Sequence, residues 1–207
     1  DIKDFTSWSK KAQNYIAYGR SPTVCRFILF LTSHDTIPDE EKPGLMIESS
    51  KKGVNNYLSI ERWTSDDLSS IEHIAPQTRT KESGWDDSLY MEENEYINSI
   101  GNLVLLPIKI NQSASNKGWK EKLLYYKHLS EVRPDKIQEY SNKARSLDIP
   151  LSDETIDKLE KSKYSAHILP LTSLLEETSA WSTQIIESRT KRMLEITWNR
   201  VSPWLGL

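Results

Sequence analysis

The sequence predicts an α+β chain, mainly helical, with a small unit of two short strands and a helix inserted in its middle. Three observations carry this expectation. Apolar residues recur at helical spacing over most of the 207 residues. Only two short apolar runs, 71–74 and 102–106, read as strands of that unit, and the first is closed by Pro76, which has no N–H for a sheet ladder. The composition, 37% hydrophobic and 28% charged, suits a chain that buries a substantial core rather than a low-complexity one.

Taken in order, Phe5, Trp8, Ala12, Tyr15, Ile16 and Tyr18 mark an amphipathic helix over 4–18, with Gly19 closing it. Ser21 before Pro22 is a cap followed by proline at the first helical position, and the apolar run through Cys25 and Leu31 extends a core helix to about Ser33. Residues 34–53, with Pro38, the acidic Asp39-Glu40-Glu41 and Pro43-Gly44, read as a solvated loop. The segment 57–63 is too short for its period to distinguish strand from helix. A helix opens at Trp85-Asp86-Asp87 and carries Leu89, Tyr90, Tyr96 and Ile97, with Gly101 past its end as a stop.

After the second strand, residues 107–115 read as a loop, and Asn116 as the N-cap of a helix bearing Trp119, Leu123, Leu124 and Tyr126. Further helices are expected over about 135–147, over 152–163 from the Ser152 cap, and over 173–201, with a break at Pro203. The organisation expected is one domain over 1–207: a helical part over 1–69, the strand-bearing core over 70–128 and a second helical part over 129–207.

A net charge of −3 gives the whole chain no attraction for a polyanion, so nucleic acid would have to meet a local patch. Cys25 is the one cysteine, cannot form an intrachain disulfide, and sits in an apolar run as a buried structural thiol. No apolar run approaches the roughly 20 residues of a membrane span, and a soluble, cytoplasmic protein is expected. The chain begins at Asp1 without Met or a signal-like segment, which suggests a piece of a longer polypeptide or a processed chain. No internal repeat, glycine-rich phosphate loop or Cys/His metal spacing is present.

The chemistry concentrates in Ser70-Ile71-Glu72-His73-Ile74-Ala75-Pro76-Gln77, answered by Ile100-Gly101-Asn102-Leu103-Val104-Leu105-Leu106 and Asn111. Phosphodiester hydrolysis needs a base for water, a cation to offset charge on the phosphate and the departing oxygen, and a group that fixes the base's tautomer. An unperturbed imidazole titrates near neutrality, which makes His73 the candidate base. Glu72 and Asn111 are hard oxygen donors that suit one Mg²⁺ or Mn²⁺, with Asn116 close enough to be the second ligand instead. Asn102 is placed to hold the His73 ring or the backbone beside it. On an extended strand Glu72 and His73 point to opposite faces, so the pair can act together only if the strand end bends, as Pro76 allows.

These residues, with Asn116 and Lys117, resemble an HNH nuclease, and among these the C-terminal HNH domain of GmrSD-type restriction enzymes and their phosphorothioate-sensing defence relatives. The resemblance covers about 70–127 and implies a ββα-metal fold. It implies His73 as general base, Glu72 and Asn111 as ligands of one Mg²⁺ or Mn²⁺, and Asn102 as the orienting residue. Glu72 stands where many HNH proteins have Asp, and the usual Gly pair between the motifs is missing. The family further implies DNA as substrate and an NTP-using sensor domain N-terminal to this chain, in a prokaryotic anti-phage enzyme.

Lys117, Lys120, Lys122 and Lys127 form a candidate phosphate-facing edge; Lys117 lies nearest the motif, and an ordinary solvated helix face is the alternative. His34, His128 and His167 read as structural, and the seven Trp as core packing rather than a base-stacking platform. Two rival functions stand beside a metal-dependent DNA endonuclease or nickase: a non-catalytic module that binds nucleic acid or a partner, and an RNA-cutting toxin using the same site.

Overall fold

The computed structural model describes residue 2 and residues 4–91, 95–146, 151–176 and 178–207. Helix α1 (Phe5–Tyr15) starts at Asp4, whose carboxylate accepts the Ser7 N–H while the Ser7 hydroxyl answers the Asp4 backbone. Helix α2 (Pro22–Ser33) is capped by Ser21 and buries Cys25, Ile28, Leu29, Phe30 and Leu31. The stretch read as a solvated loop contains an antiparallel ribbon, β1 (Thr36–Pro38) against β2 (Met46–Glu48), with Ile37 opposite Ile47. Strands of three residues are too short to display alternation, so tertiary placement decided them. The segment 57–63 ends in a single turn, α3 (Ile60–Trp63).

Strand β3 (Ser70–His73) pairs antiparallel with β4 (Leu103–Leu106), Glu72 opposite Val104 and His73 opposite Leu103. Between them the expected helix is a 3₁₀ turn, Asp87–Tyr90, and the single turn α4 (Glu95–Asn98), with residues 92–94 outside the described set. Gly101 does not end that helix. It lies in a 3₁₀ turn, Ile100–Asn102, pressed against the last helix, where an added Cβ would stand 2.2 Å from the Ile186 carbonyl oxygen.

Residues 107–115 are not a loop. They form α5 (Ile108–Ala114), whose Ile110 and Ala114, four apart, supply the buried stripe. Helix α6 (Trp119–Leu129) is capped at Gly118 rather than Asn116, and the Glu121 carboxylate accepts the Gly118 N–H. Helices α7 (Pro134–Ser146), α8 (Asp153–Glu160) and the turn α9 (Leu169–Thr172) follow. The last helix, α10 (Thr183–Val201), starts later than its periodicity suggested because Ser182 caps it, and Pro203 sits in the 3₁₀ turn, Ser202–Leu205, that ends it. The described fold is thus α+β, mostly helical, with two small antiparallel sheets.

The β3–β4 pair lies between two apolar clusters, which is why all four residues of β4 are buried. Alternation sends Val104 and Leu106 into a cluster with α6 and Trp181, and Leu103 and Leu105 into another with α2 and Met193. On β4 the His167 ring bonds the Leu105 carbonyl at 2.8 Å, and in the turn before it Arg189 donates to the Gly101 carbonyl at 2.8 Å.

Candidate functional site

Register places Glu72 on the Val104 face of the pair and His73 on the Leu103 face, so the two neighbours stay on opposite sides of β3. Glu72 is buried and faces α6, where its Oε1 accepts from the Lys122 Nζ at 2.6 Å. The same ammonium donates to the His73 carbonyl at 2.8 Å. Burial pushes the Glu72 carboxyl up to about 7, against the pull of the Lys122 charge. Burial likewise lowers Lys122, opposed by the carboxylate.

Lys122 corrects the sequence reading, which set it on a phosphate-facing edge; its side chain is wholly enclosed. The sequence does hold a signal for this. Trp119, Lys122, Tyr126 and Leu129 recur at three- and four-residue intervals, so Lys122 stands on the apolar stripe of α6.

His73 is 8% exposed and packs against Tyr18 in an edge-to-face contact with ring centroids 4.5 Å apart. Tyr18 is held there by its N–H donating to the Asn98 carbonyl at 2.8 Å. Burial lowers the imidazole to about 4, partly offset by a hydrogen bond with the Asn98 side chain, and the nearby Lys122 charge adds to the lowering. The ring is therefore neutral at physiological pH, and its buried Nε2 has no protein partner. Neither Tyr18, read only as part of the first helix, nor Asn98 was among the site residues expected from sequence; they reach His73 only through tertiary contact.

Asn102 is wholly buried and uses its amide on the backbone after His73. Its Oδ1 accepts from the Ala75 N–H at 2.9 Å and the Trp181 Nε1 at 3.0 Å, while its Nδ2 donates to the carbonyls of Ala75 and Ile97. Of the two roles foreseen, ring or adjacent backbone, the bonds to Ala75 are to backbone, and the Trp181 indole adds a side-chain contact. Asn111 lies on α5 and donates from Nδ2 to the Ser70 Oγ at 3.1 Å and the Ile71 carbonyl at 3.0 Å. Ser70 and Glu72 share a face of β3, so Asn111 approaches the strand on the Glu72 side.

Asn116 and Lys117 stand apart from this cluster. With Trp85, Trp119 and Trp181 they line a groove of about 1100 Å³. Lys117 is paired with Glu121 at 3.0 Å, and its carbonyl accepts from Trp85 Nε1. The groove is also lined by Ser113 of α5 and Glu121 of α6, and neither Glu72 nor Asn111 lines it. The three indoles show little surface, Trp119 stacking on Trp181 with centroids 5.3 Å apart, which agrees with core packing rather than a platform for bases.

A family profile for the C-terminal domain of GmrSD restriction endonucleases matches residues 7–149, more than half of the chain. The chain belongs to that family. The match takes in most of α1, α2, both strand pairs and the Glu72, His73, Asn102 and Asn111 positions of this GmrSD C-terminal domain. No curated protein matches it.

The remaining candidates of this GmrSD C-terminal domain are structural. Cys25 is fully buried, and burial raises its thiol to about 11. His34 accepts the Tyr57 N–H, His128 is buried against Ser141, and His167 joins the Tyr57 hydroxyl to the Leu105 carbonyl. Among the described residues no helix is long and apolar enough to cross a membrane.

Proposed function

We propose that this domain is the cutting half of a restriction enzyme, a metal-dependent HNH endonuclease that hydrolyses DNA phosphodiester bonds. The observation that carries the reading is the family membership together with His73: a neutral imidazole, with an unpartnered buried Nε2, at the end of a strand clamped by Asn102. A general base has to be unprotonated before it can accept a proton, and burial keeps His73 in that form while also weakening it as a base, since the best catalytic pKa lies near the working pH. Asn102 acts as a positioning residue by fixing the Ala75 backbone.

Glu72 and Asn111 are proposed to hold one hard divalent ion. Glu72 offers carboxylate oxygen and Asn111 an amide oxygen opposite the nitrogen it spends on β3. Among the described residues no three His, Cys, Asp or Glu cluster, so such an ion would complete its shell with water and phosphate, as Mg²⁺ and Mn²⁺ do. When bound, the ion supplies positive charge to the phosphate and the departing oxygen. Asn116 and Lys117, in the groove beside α6, are proposed to meet the flanking strand.

One observation favours a rival, non-catalytic module: the Lys122 ammonium already neutralises Glu72. Nicking of supercoiled plasmid with and without Mg²⁺ or Mn²⁺, against an RNA substrate at equal salt, separates the readings. The expected result is metal-dependent DNA nicking that falls by a factor on the order of 10² to 10⁴ in His73→Ala. Undiminished cleavage by that variant would remove His73 as the base. Metal-dependent cutting confined to RNA would assign the site to the toxin reading. The finer family expectations, an N-terminal NTP-using sensor and cytoplasmic anti-phage action, remain part of this proposal.

A further inference from the structure

The Lys122–Glu72 pair is not the usual solvated helix-to-strand bridge. Its ammonium is wholly enclosed, it contacts Glu72 Oε1 at 2.6 Å and the His73 carbonyl at 2.8 Å, and it arrives from α6 rather than from the strand pair. One positive charge thus touches both neighbours of the motif from within the protein. The environment around it is apolar, with Leu123, Tyr126, Val104 and Leu106 in the same cluster.

We infer that Lys122 is a resident cation that competes with the divalent ion for Glu72, so that binding of the ion requires the ammonium to release or share that carboxylate. This inference rests on the reading of Glu72 and Asn111 as the ion's ligands. The physical argument is charge balance. A buried carboxylate is stable only with a positive partner, and Lys122 supplies it when no ion is bound. A divalent ion on the same group would stand beside a like charge in a medium that screens poorly. Of the two cations, only the lysine is tethered to a flexible four-carbon stem and can withdraw while keeping its bond to the His73 carbonyl. Lys122 then acts as a positioning residue: it holds Glu72 and the His73 backbone in register before the ion arrives.

The test uses the unmodified chain with ¹⁵N-labelled lysine and follows the ¹H–¹⁵N signal of the Lys122 ammonium, which burial protects from exchange. Cross-relaxation to Glu72 protons assigns it without a variant. Added Mg²⁺ is expected to shift or abolish this signal saturably, with the same midpoint as the backbone amides of residues 70–73 and 108–114. A Lys122 signal that stays put while those amides titrate would overturn the competition and leave the ion site standing. No amide response in either segment, or a response that survives Glu72→Gln, would overturn the Glu72–Asn111 ion site and the inference with it.

Discussion

Replacing Asn102 by Ala would remove one amide and strand four buried groups at once. The Ala75 N–H and the Trp181 Nε1–H lose their acceptor, and the carbonyls of Ala75 and Ile97 lose their donor. Asn102 has no exposed surface, so bulk water does not reach these groups without rearrangement. An unpaired buried polar group costs roughly 1–3 kcal/mol, and taking the lower end for each, since the site can relax, puts the loss at about 4 kcal/mol. Urea unfolding followed by tryptophan fluorescence is the assay, because Trp181 itself loses a bond. With a urea dependence of about 2 kcal/mol per molar for a chain of this size, the midpoint should fall by about 2 M with an unchanged slope. Asn102→Asp, which keeps the shape and the acceptor but replaces the two-hydrogen donor, should also be strongly destabilised. A midpoint drop under about 0.5 M for Asn102→Ala would refute the clamp.

Gly101→Ala places a Cβ 2.2 Å from the Ile186 carbonyl and 2.5 Å from Thr190 Oγ1, so α10 must shift; about 3 kcal/mol or more, a thermal midpoint lower by roughly 6–12 °C, is expected. Gly19→Ala, with nothing within 4 Å, should change the midpoint by no more than a degree or two, at about 0.5 kcal/mol. His167 is lowered by burial from 6.5 to about 4, so the unfolded chain binds more protons between those values and stability is lost as pH falls through that window, by roughly 3 kcal/mol in all. His73 acts in the same direction, while Glu72, raised from 4.5 to about 7, loses stability as pH rises, so the two oppose each other and His167→Gln should flatten the acid limb of a stability–pH series. Native Cys25 should resist a thiol reagent at pH 8 and react only as fast as the chain unfolds, with prompt labelling in urea.

The motif was legible because its parts are local. Residues 70–77 and 100–106 are each a short run in which the strand, the turn and the polar side chains are neighbours in sequence, and the β3–β4 pairing puts them together in the register their alternation requires. Helices α2 and α8 were legible for the same reason: Ser21 and Ser152 cap within three residues of what they bond. Three other features were not. The helix α5 hid behind Pro107 and a polar, asparagine-containing run, although Ile110 and Ala114 carry its stripe. The β1–β2 ribbon is too short for any period to show. Lys122 looked like a surface charge among other lysines, and only its phase on α6 betrays it.

Residue chemistry by itself grouped His73, Glu72, Asn102 and Asn111 as candidates, because side chains able to serve as a base, an ion ligand and an amide clamp fall there at such spacing. Tertiary structure alone decided how they are arranged. A strand turns successive side chains to opposite faces, so Glu72 meets α6 and Lys122 while His73 meets Tyr18 and Asn98 across a different core. Lys122 and Tyr18 lie about 50 residues away along the chain on either side, and Asn98 about half as far. Burial between two apolar clusters, which no local window of sequence reports, then sets which of these groups carry charge.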